Sequence, residues 1–81
     1  MGIRLYDSAW VILRDSDTPQ QVRKDRGNPA MFHVGDFRYD IDGRAFDHST
    51  TVPDIVQMLS IAEARNLGLS TQYMAPKSIH V

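Results

Sequence analysis

The sequence predicts an α+β domain: a three- to four-stranded, mainly antiparallel sheet in the order β-β-β-β-α-β, with one long helix packed across one face. Three observations carry this. Residues 51–68, T-V-P-D-I-V-Q-M-L-S-I-A-E-A-R-N-L-G, hold a complete helix grammar; residues 37–48 alternate apolar and polar side chains around Asp42-Gly43; and residues 10–13 form a short, continuously apolar run. With 81 residues, 42% hydrophobic and 23% charged, the chain has the length and balance of a single folded domain spanning residues 1–81. A chain of this size buries only roughly 60–65% of its unfolded surface, so a partner subunit would add stability.

Taken in order, residues 3–14 read as a strand, with Trp10-Val11-Ile12-Leu13 too apolar for a half-exposed edge and therefore central in the sheet. Residues 16–29 hold one large apolar side chain, Val22, and read as a long polar loop. Residues 30–34 form a second strand. In residues 37–48, Phe37, Tyr39 and Ile41 alternate with Arg38, Asp40 and Asp42, and Asp42-Gly43 favours a two-residue hairpin turn. That turn pairs Ile41 with Arg44, Tyr39 with Phe46 and Phe37 with His48 on one face, and Arg38 with Asp47 on the other.

The helix is expected over residues 52–67. Thr51 caps it, Pro53 tolerates the first turn, Asp54 stands in capping-box register, Arg65 suits the negative end of the dipole, and Asn66 or Gly68 ends it. Val52, Ile55, Val56, Leu59, Ala62 and Leu67 share the face turned to the sheet. Met58 and Ile61 fall outside that stripe. Residues 69–75 read as a last strand stopped by Pro76, and residues 77–81 as a loose tail.

Chemistry-bearing patterns are sparse. Aligning Gly43 with the glycine of an EF-hand loop puts Arg38 and Ser49 at the positions that need acidic ligands, so Asp40-Ile41-Asp42-Gly43 reads as a turn. Asp47-His48-Ser49 are strand neighbours that cannot relay a proton to one another. His33, His48 and His80 lack metal-ligand spacing, there is no cysteine, and no glycine-rich phosphate loop is present. The sequence thus points away from an enzyme and calls for neither cofactor nor metal; a small metal-dependent or hydrolytic enzyme is the third alternative and needs His33, His48 and an Asp brought together by the fold.

Two surfaces remain. Arg23, Lys24, Arg26 and Asn28 form a basic cluster suited to an acidic protein surface or, as the alternative, to nucleic-acid phosphates. Met58, Ile61 and Arg65 mark the helix flank expected to face a second subunit or another protein. The function read from these features is a small cytoplasmic protein-interaction module that works as a homodimer. It resembles in kind the inhibitors, adaptors and phage-encoded proteins that act by occupying a partner's surface. The first residues lack the basic-then-apolar pattern of a secretory leader, so none is expected, and no apolar run is long enough to cross a membrane as a helix.

Overall fold

The computed structural model describes residues 3–46 and 51–74. It shows a curled antiparallel sheet of five strands and one short helix, in the order β1 (Trp10–Leu13), β2 (Gln20–Lys24), β3 (Phe32–Val34), β4 (Phe37–Tyr39), β5 (Ile55–Met58) and α1 (Ile61–Asn66). Across the sheet the strands run β4-β3-β2-β1-β5. The first four therefore form a meander, and β5 returns to the far side of β1.

Register divides the side chains between two faces, because directly opposed residues in antiparallel strands share a face. Val22 opposes Val34, which opposes Phe37; Phe32 opposes Tyr39; Val11 opposes Met58; and Leu13 opposes Ile55 beyond a bulge. These residues turn inward, where Val11, Val22 and Val34 are fully buried and Tyr39 is 1% exposed. The N-terminal segment closes the curl. Leu5 N–H donates to Ile41 O and Ser8 N–H to Val22 O, both over 2.8 Å, and Leu5 and Ala9 join the buried cluster.

The outer face carries Trp10, Ile12, Gln21, Arg23, His33, Arg38 and Gln57. Around Trp10 it is covered by the segment after α1: the indole Nε1–H donates to Ser70 O over 2.7 Å, and Leu59, Ala64 and Met74 are buried. This makes a small second layer.

The largest departure from the sequence reading is the helix. Residues 52–67 are not one helix; β5 occupies 55–58 and α1 only 61–66. The capping box is built instead by Ser60 and Glu63, where Glu63 N–H donates to Ser60 Oγ over 3.0 Å and Ser60 N–H to Glu63 Oε1 over 2.7 Å. Ile55, Gln57 and Met58 gain more by pairing with β1 than by continuing a helix with little else to pack on it, and the β-branched Ile55-Val56 suits the extended backbone. The sheet has five strands rather than three or four, and α1 closes the order of elements. Residues 69–74 form no strand, and Ala75 and the 77–81 tail lie outside the described residues.

The second departure is residues 16–29, read as loop. Gln20–Lys24 is an internal strand, pairing through Gln20 and Gln21 with β1 and through Val22, Arg23 and Lys24 with β3. One buried valine suffices because ladders on both sides satisfy the backbone.

The hairpin after β4 forms one residue out of the expected register. Tyr39 bridges Ala45 rather than Phe46, Gly43 N–H donates to Asp40 O over 2.9 Å, and Asp40 N–H to Arg44 O over 2.8 Å. Asp40 Oδ1 accepts from the N–H groups of Asp42 and Arg44, and Gly43 takes φ +80°. A three-residue loop ending in left-handed glycine has replaced the two-residue turn. The expected partners Asp47 and His48 lie outside the described residues. Among the described residues no helix is long and apolar enough to cross a membrane.

Candidate binding cleft

At the end of β1, three segments distant in sequence meet around a cleft of about 580 Å³: Leu13–Ser16 with Gln20, Phe37 at the start of β4, and Thr51–Asp54 ahead of β5. That volume lies within the usual range of roughly 300–1,000 Å³ for ligand pockets. Leu13, Phe37, Val52 and Pro53 supply apolar surface, while Arg14, Asp15, Ser16, Gln20, Thr51 and Asp54 supply polar groups.

The β1–β5 ladder sets this geometry. Beyond the bulge the pairing continues as Arg14 N–H donating to Asp54 O over 2.8 Å, which brings the side chains of the same two residues together. Arg14 Nη2 lies 3.0 Å and Nε 3.3 Å from Asp54 Oδ2. The pair is open to solvent, its side chains 60% and 71% exposed, so it contributes at most about 1 kcal/mol and serves chiefly to fix the rim. The floor is held from beneath, where buried Tyr39 donates its hydroxyl to Pro53 O over 2.7 Å. Burial of the ring and the neighbouring Asp54 carboxylate push the Tyr39 phenol up to about 12.

The basic residues singled out in the sequence lie elsewhere, on the β2–β3 hairpin. Arg23 and Lys24 are exposed but adjacent on a strand, so their side chains leave opposite faces. Arg26 is exposed in the connection. Asn28 is committed to structure: its Oδ1 accepts from Ala30 N–H over 2.9 Å, its carbonyl accepts from Met31 N–H, and its own N–H donates to Asp25. Asp25 organises this connection, with Oδ2 accepting from the N–H groups of Gly27 and Asn28 and Oδ1 lying 2.7 Å from His33 Nε2. The His33 hydrogen bond first, and the two backbone donors with it, hold the Asp25 carboxyl below its ordinary value. The connection is therefore a braced turn rather than a free loop.

Register brings together a different basic set that the linear cluster did not reveal: Arg23, His33 and Arg38 stand in one row across β2, β3 and β4 on the outer face. Alternation in residues 37–39 placed Arg38 outward, but only the pairing of β3 with β4 could place His33 beside it, and only that of β2 with β3 could add Arg23.

Met58, Ile61 and Arg65 do not share a helix flank. Met58 lies in β5, half-buried against the core and opposite Val11; Ile61 is half-buried at the first position of α1; Arg65 is exposed in its last turn. Among the described residues no three His, Cys, Asp or Glu side chains gather as metal ligands. No protein-family model, curated protein or solved structure matches the chain.

Proposed function

We propose that the protein acts by binding another protein, as a cytoplasmic inhibitor or adaptor, and that the cleft between the β1–β2 turn and residues 51–54 receives the partner. The observation that carries this is the construction of the cleft: apolar floor, polar rim and two tethers, Tyr39 to Pro53 and Arg14 to Asp54, that hold its walls before anything binds. Preformed walls lower the ordering cost of association. The test is a tagged pull-down with nuclease present, comparing the native chain with Thr51→Trp, which fills the cleft from an exposed position. A stoichiometric protein retained by the native chain and lost by the variant is the expected result; equal retention by both removes the cleft from the reading.

Self-association belongs to the same proposal, now through the α1 side. Met58 packs on the core, so Met58→Glu reports stability, whereas Ile61→Glu reports assembly. Light scattering should find a dimer for the native chain and a monomer for Ile61→Glu; a native monomer ends the dimer proposal.

A second reading, nucleic-acid binding, is favoured by the Arg23, His33, Arg38 row, with exposed Arg26 in the adjoining β2–β3 connection. It predicts a steep fall of affinity for single-stranded DNA with salt, and a shallower slope in Arg23→Ala. Salt-independent binding, or none, excludes it.

A further inference from the structure

The cleft has a charge as well as a shape. Resting on the reading that it is the partner site, we propose that it takes a chain segment carrying a lysine or arginine next to an apolar side chain.

The apolar requirement comes from Leu13, Phe37, Val52 and Pro53, which offer hydrocarbon along one side of the cleft. The basic requirement comes from the rim. Three lining residues are charged, Arg14, Asp15 and Asp54. The Arg14 guanidinium points both of its bonding nitrogens at Asp54 Oδ2, so those two charges offset each other. Asp15 is left over: its side chain is in an exposed residue and makes no hydrogen bond or ion pair among the described residues. Asp17, in the same β1–β2 turn, and Asp36, directly before the lining residue Phe37, are likewise exposed and unpaired among the described residues. An anionic segment would meet these carboxylates as like charges, while a Lys or Arg would lay its methylene stem on the floor and bring its head to Asp15.

This reverses the partner charge expected from the basic cluster, which the fold has moved to a different surface. The two surfaces can coexist on a chain of net charge −1, because exposed Arg23, Lys24 and Arg26 belong to the β2–β3 hairpin, whereas Asp15 lines the cleft and Asp17 and Asp36 stand next to lining segments in sequence.

The chain itself contains a segment of matching chemistry, Arg65-Asn66-Leu67, with Arg65 exposed and Leu67 59% exposed at the end of α1. A second copy is thus a competing occupant, and the test must separate it from a partner.

The experiment is selection of random peptides on the immobilised full chain, followed by fluorescence anisotropy of the enriched peptides with the native chain, Asp15→Lys, Asp15→Asn and Thr51→Trp. Among the described residues the Asp15 side chain has no hydrogen bond or ion pair to lose, so its variants should keep the fold, which circular dichroism checks. The expected result is enrichment of peptides with Lys or Arg within two residues of an apolar side chain. Their affinity should fall about tenfold in Asp15→Lys and about threefold in Asp15→Asn, and be lost in Thr51→Trp. Peptides that depend on Thr51 but lack a basic residue, or bind Asp15→Lys as well as the native chain, overturn the charge requirement and leave the cleft reading standing. Peptides indifferent to both positions overturn both. Concentration-dependent self-association in light scattering that Asp15→Lys and Leu67→Glu each abolish would assign the cleft to a second copy and overturn the proposal of a separate partner.

Discussion

Replacing Tyr39 by Phe tests whether the cleft floor is held from the core. The ring is 1% exposed and Phe fills the same space, so the change is confined to the hydroxyl and its 2.7 Å bond to Pro53 O. Losing one such bond at a half-buried carbonyl, which water can partly reach, costs about 1 kcal/mol. For a domain of this size that lowers Tm by about 4–8 °C. The native chain should also lose stability in alkali. The Tyr39 phenol, at 10.0 when unfolded, is pushed up to about 12 in the folded protein, so between those values the folded state binds the extra proton. Stability is then complete below pH 10.0, declines through that window and levels off above it, with an upper limit of about 2–3 kcal/mol. Urea denaturation of both proteins at neutral pH and at steps through the alkaline range is the assay. Tyr39→Phe should start lower and decline less; a residual decline remains from Tyr6, which burial also raises. Equal urea midpoints at neutral pH, together with parallel alkaline declines, would refute the tether.

Other perturbations probe the elements around the cleft. Val22→Ala should cost about 2 kcal/mol by urea denaturation, because the side chain is fully buried; a cost near zero would mean that residues 20–24 are not the internal strand described. Gly43→Ala should cost about 1–2 kcal/mol, since it forces a side chain to φ +80° with its Cβ 3.3 Å from Ile3 Cγ2. Gly68→Ala, at φ +75° in open space, should cost somewhat less, and the reverse order would contradict the Ile3 contact. The Asp25 carboxyl, held below its ordinary 3.8, lends stability that is complete above that value and lost as pH falls through its folded value. Amide exchange followed by NMR should show Gly27 and Asn28 losing protection as this acid titrates, and unchanged protection in Asp25→Ala would show that the carboxylate does not brace the turn.

How much of this was legible in the sequence depends on whether the signal was local. Alternation around Asp42-Gly43 put Tyr39 on the inward face and the apolar run put residues 10–13 inside the sheet; the structure buries Tyr39, Val11 and Leu13, while Trp10 and Ile12 face outward and are half-buried. Residues 51–68 misled because Val52, Ile55, Val56 and Leu59 satisfy a helical period, whereas the inward residues of the strand, Ile55 and Met58, meet Leu13 and Val11 across a bulge that breaks simple alternation. The deciding energy, pairing with residues 10–13 across some forty positions, is invisible to any window along the chain. Strand β2 was hidden for the complementary reason: its stability comes from two neighbours, so its own residues need supply only Val22. Asp42-Gly43 correctly marked a turn, but Asp40 accepting two backbone N–H groups selected the longer loop and moved the register by one.

The cleft was illegible on the same ground, and more completely. Among its lining residues Thr51, Pro53 and Asp54 read as a helix start rather than as part of a site, and Arg14 and Asp54 are forty positions apart. They meet because β5 pairs with β1 and because the bulge between Ile12 and Leu13 shifts the register just before the ladder reaches them. A bulge admits one extra residue and turns the strand locally. Here Val56 falls within the irregular stretch and is 48% exposed, while Ile55 stays inward opposite Leu13 and Arg14 comes to lie against Asp54. Had 52–67 been one helix, Thr51, Pro53 and Asp54 would have been its first turn, with the Asp54 carboxylate spent on the helix N-terminus. As an extended segment entering β5, the same residues become a wall, and Asp54 is free to fix Arg14. The strand that replaced the expected helix is therefore what creates the cleft, and the β1–β5 register is the physical link between this sequence and the shape of that surface.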